Sequence, residues 1–497
     1  MMKFSELSDK SSLKPVEIRD DFEVKGLAYD SRKVKEGYIF FAIIGYEDDG
    51  NKYIKDALAN GAGAVITERI EGNEYAGELE NGNRKKIHEA QDIRKVMAEM
   101  SREFYGNPAE RIKVIGVTGT NGKTTITYLM KAVLEKAGSK TGLIGTISYD
   151  AGGEKMGSTL TTPDSIEIFG MLREMADNEM KYCVMEVSSI ALELKRVYGL
   201  DFTAGIFTNL SSEHLDLHSN MENYFNAKKI LFDGLRKESF AVSNADDEYG
   251  KAILDDTKAK KIFYSIDKES DYRAEDIKLG IDGLEFKAVT KEGEFKMKSG
   301  LTGRFNVSNM LAVMATANAL RVDMEIIREA VADFRDVDGR FTRIKLPNGA
   351  YAVVDYSHTS DSLKNAVEAA REIVEEQGEG RVVTVFGCGG NRDRTKRPVM
   401  GKYATSLSDY SIITSDNPRF EEPMAIINEI LSGVETEGNF EVDEDREEAI
   451  RKAIEYSKKG DLVLICGKGH ETYQEVRGVK THFDDKEMVA KYSNLAK

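Results

Sequence analysis

The stretch Arg111–Ala137, RIKVIGVTGTNGKTTITYLMKAVLEKA, decides how the rest of the chain is read. Val114 to Val117 is an apolar run of strand character that ends in a glycine-bearing turn. From Lys123 the apolar residues Ile126, Leu129, Met130, Val133 and Leu134 return at helical spacing, and Gly138 is a stop signal. Strand, loop and helix in that order place the backbone N–H groups of the loop at a helix N-terminus, where the dipole favours an anion. Gly119 and Gly122 allow the loop to close around phosphate oxygens. Lys123 is then expected to reach the β- and γ-phosphates and the Thr124 hydroxyl to bind Mg²⁺. The spacing departs from G-x-x-x-x-G-K-[ST]: Val117 stands at the first glycine position, and the additional glycine is Gly116.

Working outward, 497 residues suggest about three domains at roughly 150 residues each. We expect 1–108 to be a small α/β domain, 109–340 a central phosphate-loop domain with a mainly parallel sheet, and 341–497 a Rossmann-like α/β domain. The first region has strand-like runs at Ile39 to Ile44 and Ala64 to Thr67 and a helix from Tyr53 to Asn60, with Asp30-Ser31-Arg32 reading by default as a solvated loop. The turn chemistry of Phe104-Tyr105-Gly106-Asn107-Pro108 suggests a linker. In open α/β sheets ligands gather beyond the carboxyl ends of strands, so the polar residues that follow each apolar run carry the interest. Those are Glu186-Val-Ser-Ser189, Thr208 to Asp216, Asp355-Tyr-Ser-His358, Gly387 to Asp393, Ser415 to Arg419 and Gly467 to Glu471. Segment 261–300 is strand-rich and charged, with no chemistry to read.

A net charge of −16 argues against general nucleic-acid or acidic-membrane binding, and an anionic substrate then needs local Lys and Arg clusters. No window has the apolar length of a membrane span or a signal peptide, so a cytoplasmic protein is expected. Cys183, Cys388 and Cys466 lie far apart in or just after apolar runs and read as small core residues. Glu186, at a strand end, is a candidate Mg²⁺ ligand. His214 is as readily a hydrogen-bonded loop residue as a metal ligand. Lys228, at the start of a helix spanning Glu222 to Leu235, reads from the residues alone as solvated.

Thr118-Gly-Thr-Asn-Gly-Lys-Thr124, Glu186-Val-Ser-Ser189, Thr208-Asn-Leu210 with His214, Asp355-Tyr-Ser-His-Thr359, Gly387-Cys-Gly-Gly390 and Gly467-Lys-Gly-His-Glu471 occur in that order. In this series the chain resembles the Mur ligases, ATP-dependent amino-acid ligases of peptidoglycan precursor synthesis, over nearly its whole length. Within that family it resembles the members that add diaminopimelate. The resemblance implies that ATP phosphorylates the D-glutamyl γ-carboxylate of UDP-MurNAc-L-Ala-D-Glu and that meso-diaminopimelate attacks the acyl phosphate. It implies ATP contacts from Gly119, Thr120, Asn121, Gly122, Lys123, Thr124, Thr125, Asn306, Arg340, Asp355 and His358. Two Mg²⁺ ions are implied, one at Thr124 and Glu186, the other at His214 and at Lys228 as a CO₂-derived carbamate. Ser31, Thr161, Thr162, Ser188 and Arg196 map to the UDP-substrate. Arg392, Asp416, Asn417, Arg419, Gly467 and Glu471 map to diaminopimelate.

Asp416-Asn-Pro-Arg419 resembles the diaminopimelate-adding members rather than the lysine-adding ones, since Arg419 suits a second carboxylate by bidentate pairing. Ile190, Leu194 and Ser360 depart from the family pattern, the first two along the sugar-peptide wall. The implied partners are small molecules alone, without nucleic acid or membrane insertion, and a monomer is the expected form. Three alternatives stay open: the same reaction with L-lysine, a folylpoly-γ-glutamate type of ligase, and a phosphate-loop switch that ligates nothing. The match of residues 25–67, with Asp30-Ser31-Arg32, weighs against the second, and the switch has no use for Arg392, Arg419 and Glu471.

Overall fold

A computed structural model describes residues 2–14, 21–45, 48–69, 85–213, 215–435 and 438–496. The chain forms two compact units: Met1–Gly116 with Ser139–Gly205 and Asp233–Ser239, and Val117–Gly138 with Ile206–Phe232 and Phe240–Lys497. The division falls inside the expected central region, and the strands Lys113–Thr118 and Phe202–Phe207 each run from one unit into the other.

The first unit begins with a four-stranded parallel sheet, Gly26–Ala28, Tyr38–Phe41, Ala64–Thr67 and Ile87–Glu89, paired in chain order. Ile39, Phe40 and Phe41 are all buried because both faces are covered, as parallel sheets require. Ile39 and Phe41 join the core with Phe4, Ile93 and Met97, while Phe40 joins the core with Ile54 and Ala57. The helix Ile54–Ala59 and the strand Ala64–Thr67 fall where the sequence places them. Beyond it, Lys113–Thr118 is followed across the sheet by Tyr182–Glu186, Thr141–Ile144, Ser148–Asp150 and Met156–Gly157. Gly116 belongs to this strand and not to the phosphate loop. A Cβ there would sit 2.8 Å from the Phe202 ring and 3.2 Å from Val187, so the extra glycine serves packing beneath the loop.

In the second unit Phe202–Phe207 leads to Phe240–Asn244, Lys260–Ser265 and the antiparallel meander Tyr272–Gly280, Gly283–Thr290 and Gly293–Ser299, which accounts for the charged segment. The same unit holds a six-stranded sheet ordered Thr342–Lys345, Tyr351–Asp355, Leu462–Cys466, Val382–Phe386, Tyr410–Ile413, Phe440–Val442. Only its first pair is antiparallel. The register matches Asp355 with Cys466 and Phe386 with Ile413, so the polar segments that follow these strands leave the sheet along one edge. The helix Ser360–Gln377 starts on a Thr359–Ser362 capping box and stops at Gly378 with φ +73°. All three cysteines are buried and outside any disulfide, and burial pushes the Cys388 thiol up to about 12.

Candidate functional site

In the second unit the helix Lys123–Lys136 begins at Gly122, whose φ is +88°. The loop before it is braced by the end of the strand Phe202–Phe207. The Thr120 N–H donates to the Asn209 carbonyl at 2.8 Å, the Asn121 N–H to Asn209 Oδ1 at 2.9 Å, and Thr208 Oγ1 to the Asn121 carbonyl at 2.6 Å. A Cβ at Gly119, where φ is +144°, would fall 1.8 Å from Thr208 Oγ1. One at Gly122 would fall 2.6 Å from Asn309 Oδ1. Both glycines are therefore required by approach and by backbone conformation. Asn309 is buried and donates to Asn306, which in turn donates to the Thr302 carbonyl.

Lys123 Nζ donates to the carbonyls of Gly119 at 3.0 Å and Thr120 at 2.8 Å. Lys228 Nζ donates to the same Gly119 carbonyl at 3.0 Å. The solvated reading of Lys228 is overturned: it is 1% exposed, sits mid-helix in Met221–Asp233 and lies over the Tyr224 ring. Desolvation, and then the neighbouring charge of Lys123, hold its ammonium well below the usual lysine range, with Glu213 opposing. Tyr224 reaches Thr120 Oγ1 at 3.2 Å. His214 lies outside the described residues.

Arg340 Nη2 donates to Thr124 Oγ1 at 3.0 Å and its guanidinium lies over the Tyr356 ring. His358 Nε2 is 3.6 Å from Glu213 Oε1. Asp355 accepts from the Phe341 N–H at 2.7 Å and the Ser357 N–H at 2.9 Å, which fixes its carboxylate at the strand end. Ser360 reaches the Lys396 carbonyl at 3.4 Å and opens its helix without a proline.

The six residues read as an amino-acid pocket also lie in this unit, at the edge of the second sheet. Asn417 Nδ2 donates to Glu471 Oε2 at 2.8 Å. Arg419 Nη1 donates to the Gly390 carbonyl at 2.8 Å, and its Nε is 3.7 Å from Glu475. Its backbone, at φ +52°, is pinned by Arg419 N–H to Glu475 O and Arg477 N–H to Arg419 O bonds, a conformation that a non-glycine residue holds only under tertiary constraint. Asp416 Oδ2 is buried with no hydrogen-bond partner among the described residues, and a Cβ at Gly467 would lie 2.4 Å from it. Burial, and then the Asp416 charge, raise the Glu471 carboxyl. Arg392 is exposed, its Nη1 3.4 Å from the Asn391 carbonyl.

In the first unit Glu186 is fully buried, and its carboxylate accepts from the Thr146 N–H at 2.8 Å and the Thr146 hydroxyl at 3.0 Å. Thr146 Oγ1 is 3.1 Å from Thr161 Oγ1. Thr162 Oγ1 donates to the Glu186 carbonyl at 2.8 Å and accepts from the Ser188 N–H at 3.0 Å, while Arg196 Nη1 donates to the Thr162 carbonyl at 2.9 Å. Four of the five predicted UDP-substrate residues thus form one network with Glu186. Ser31 stands apart from it, buried in a short turn capped by Asp30 rather than in a solvated loop. Among the described residues no group of three or more His, Cys, Asp or Glu side chains forms a ready cage for a metal. The Thr124 hydroxyl, in the second unit, and the Glu186 carboxylate, in the first, are each a hard oxygen donor of the kind Mg²⁺ takes.

Sequence reasoning did not single out Asn309, Tyr224, Glu213 or Tyr356 for a role, and each is placed by contacts between residues distant in sequence. Lys468, inside Gly467-Lys-Gly-His-Glu471, likewise has no role that the sequence alone declares.

A phosphate loop and a charged strand-edge pocket follow one another along this chain on two sheets, and the chain belongs to the Mur ligase family. Residues 23–105, 117–317 and 339–469 match, in turn, the family descriptions "Mur ligase family, catalytic domain", "Mur ligase middle domain" and "Mur ligase, glutamate ligase domain", a three-domain α/β architecture. The UDP-N-acetylmuramoyl-L-alanyl-D-glutamate--2,6-diaminopimelate ligase of Clostridium botulinum is 44% identical over 94% of this chain and 94% of its own. A solved structure of a ligase of that name is 31% identical with TM-score 0.69, covering 99% of both chains. Folylpolyglutamate synthase of Mycobacterium tuberculosis, at 14% identity and TM-score 0.60, covers 74% of this chain and 91% of that one and shares the fold alone.

Proposed function

We propose that this chain is an ATP-dependent amide ligase that joins meso-diaminopimelate to the D-glutamyl γ-carboxylate of UDP-MurNAc-L-Ala-D-Glu. The observation that carries the reading is the pairing, within one compact unit, of a loop shaped for phosphate with Arg340 on Thr124 and a strand-edge pocket of opposed charges at Asp416, Arg419 and Glu471. The names of relatives at 44% and 42% identity support the choice of substrates.

In the proposed reaction the γ-carboxylate oxygen attacks the γ-phosphorus of ATP, ADP leaves, and an acyl phosphate forms. The deprotonated amine of diaminopimelate then attacks the acyl carbon and phosphate leaves. Positioning and charge neutralisation supply most of the acceleration. Lys123 and Arg340 neutralise the transferring phosphoryl group, Thr162, Ser188 and Arg196 orient the UDP-substrate with Thr161 and Ser31, and Asn306, Asp355 and His358 hold the nucleoside. Magnesium, when bound, would supply Lewis-acid stabilisation of phosphate charge, with Thr124 in the second unit and Glu186 in the first as its proposed oxygen donors. In the metal-ligand role that the family resemblance also gives His214, Lys228 is proposed to react with CO₂ as a neutral amine, losing a proton and becoming an anionic oxygen ligand for a metal. Its burial next to Lys123 supports this, since only the unprotonated amine attacks CO₂.

No helix among the described residues is long and apolar enough to cross a membrane, and we place the enzyme in the cytoplasm as a monomer. Phosphate release from ATP that requires both UDP-MurNAc-dipeptide and diaminopimelate is the expected result. Turnover independent of both would show a nucleotide switch, and preference for L-lysine in an amino-acid panel would reassign the pocket.

A further inference from the structure

Lys468 is completely buried, yet neither the phosphate chemistry nor the pairing with a far carboxylate uses it. Its Nζ donates to Asn417 Oδ1 at 3.3 Å and to the Tyr473 carbonyl, and lies 3.7 Å from Glu471 Oε2. Asn417 Oδ1 also accepts the Glu475 N–H at 2.9 Å. Lysine and a backbone N–H can only donate, so these two contacts fix which end of the Asn417 amide is oxygen. The NH₂ end must then point at Glu471, where it donates to Oε2 at 2.8 Å. A chain of forced choices runs from the buried cation through one amide to one carboxylate oxygen.

We propose that Lys468 is a positioning residue for the amino-acid substrate: it orients Asn417 and, as the nearest cation, holds Glu471 as the carboxylate that receives the substrate's far ammonium through Oε1. This rests on the reading of residues 416–419 and 467–471 as the diaminopimelate pocket. The groups that face Glu471 are Asp416, which raises its carboxyl along with burial, and Lys468, Asn417 and Arg419, which lower it; the Tyr356 phenol also lies within its field. Lysine and diaminopimelate both carry a far ammonium, and only diaminopimelate carries a carboxylate beside it. Lys468 therefore acts on a feature common to both, whereas Arg419 discriminates between them.

The test is steady-state kinetics of the full-length enzyme with Lys468→Met, Lys468→Arg and Glu471→Gln, each checked for folding by circular dichroism. Lys468→Met is expected to raise KM for diaminopimelate about tenfold or more, as for the loss of a charge-assisted bond, with KM for ATP within about twofold of the parent. With the cation gone, Glu471 protonates more readily, so the acidic limb of kcat/KM for diaminopimelate should move to higher pH. Lys468→Arg should restore part of both. An unchanged KM and acidic limb in Lys468→Met, with Glu471→Gln impaired, would overturn the role of Lys468 alone. Unimpaired diaminopimelate use in Glu471→Gln would overturn the pocket itself. Should Lys468→Met fail to fold, Asn417→Asp carries the test: it adds a further carboxyl against Glu471, beside that of Asp416, and should move the acidic limb the same way, and an unmoved limb would overturn the proposal.

Discussion

The phosphate loop and the proposed amino-acid pocket lie beyond strand ends in the same unit, yet they are held by different forces. Alongside the Lys123 and Lys228 amines on its carbonyls, backbone groups and neutral side chains, Thr208, Asn209 and Asn309, set the phosphate loop, and its two essential glycines lie against them. The pocket is set by charges taken out of water: Lys468 against Asn417 and Glu471, Arg397 against Glu421 and Glu429, and Arg446 against Asp485. Neutral bracing is insensitive to pH and fails through sterics. Charged bracing tunes ionisation and fails when one partner is removed, because the other stays buried and uncompensated.

The largest effect should come where a charge intrudes on the neutral loop. Lys228→Ala removes a buried amine from the Gly119 carbonyl and, on the proposed chemistry, a metal ligand. The variant should fold and lose ligase activity by about a hundredfold or more. A small carboxylic acid should restore part of it by supplying the missing oxygen, and full activity in the variant would end the carbamate reading.

A steric probe comes next. Gly119→Ala forces a side chain into a left-handed backbone and onto Thr208 Oγ1, a strain of about 1–3 kcal/mol before the clash is counted. KM for ATP should rise about ten- to a hundredfold with KM for diaminopimelate unmoved. Adding Thr208→Ala removes the 1.8 Å contact but leaves the conformational cost and the 3.0 Å approach to the Asn209 carbonyl, and it deletes the Thr208 bond to Asn121, so it should rescue only in part. Complete rescue, or no effect at all, would contradict steric bracing.

Arg419→Ala probes discrimination. Losing a charge-assisted pair of about 1.5–3 kcal/mol should weaken diaminopimelate use by about ten- to a hundredfold and L-lysine use much less. Equal losses on both would show that Arg419, which also bonds Gly390, serves its own loop.

The phosphate loop was legible because its signal is local: a strand, a glycine turn and a helical period lie within Arg111–Ala137. The strand ends of the second sheet were legible for the same reason, and Val382–Phe386 is found where it was read. Lys228 shows the limit. Its neighbours in sequence describe an ordinary helix, and its burial comes from the Gly119 carbonyl 109 residues earlier. Asn309 and Lys468 were passed over for a similar reason, since a polar residue inside a helix or motif declares a partner only once the chain has folded. Gly116 is legible as a strand residue, within Val114 to Val117, but its reason is not: a Cβ there would meet the Phe202 ring, which the sequence does not bring near it.

The smallest effect, and the one that separates the two kinds of bracing most cleanly, lies at Glu421. Its carboxylate takes two bonds from the fully buried Arg397, at 2.8 and 2.9 Å, and accepts the Asn391 N–H at 2.5 Å. It thereby ties the loop bearing Arg392 to the turn bearing Arg419, where the Phe420 N–H donates to Asn391. Arg397 holds the Glu421 carboxyl down at about 2 from an ordinary 4.5. A depressed carboxyl stabilises the fold above its unfolded pKa, and that contribution drains away as pH falls from 4.5 through 2. Glu421→Gln should therefore cost about 1–3 kcal/mol at neutral pH, with a few-fold rise in KM for diaminopimelate and none for ATP. The stability gap between parent and variant should narrow as pH falls from 4.5 and close only below about 2, where the parent's carboxylate is neutral as well. Urea unfolding across that range measures it: a gap that stays constant, or a KM for ATP that moves with KM for diaminopimelate, would mean that charge does not brace the pocket separately from the phosphate loop.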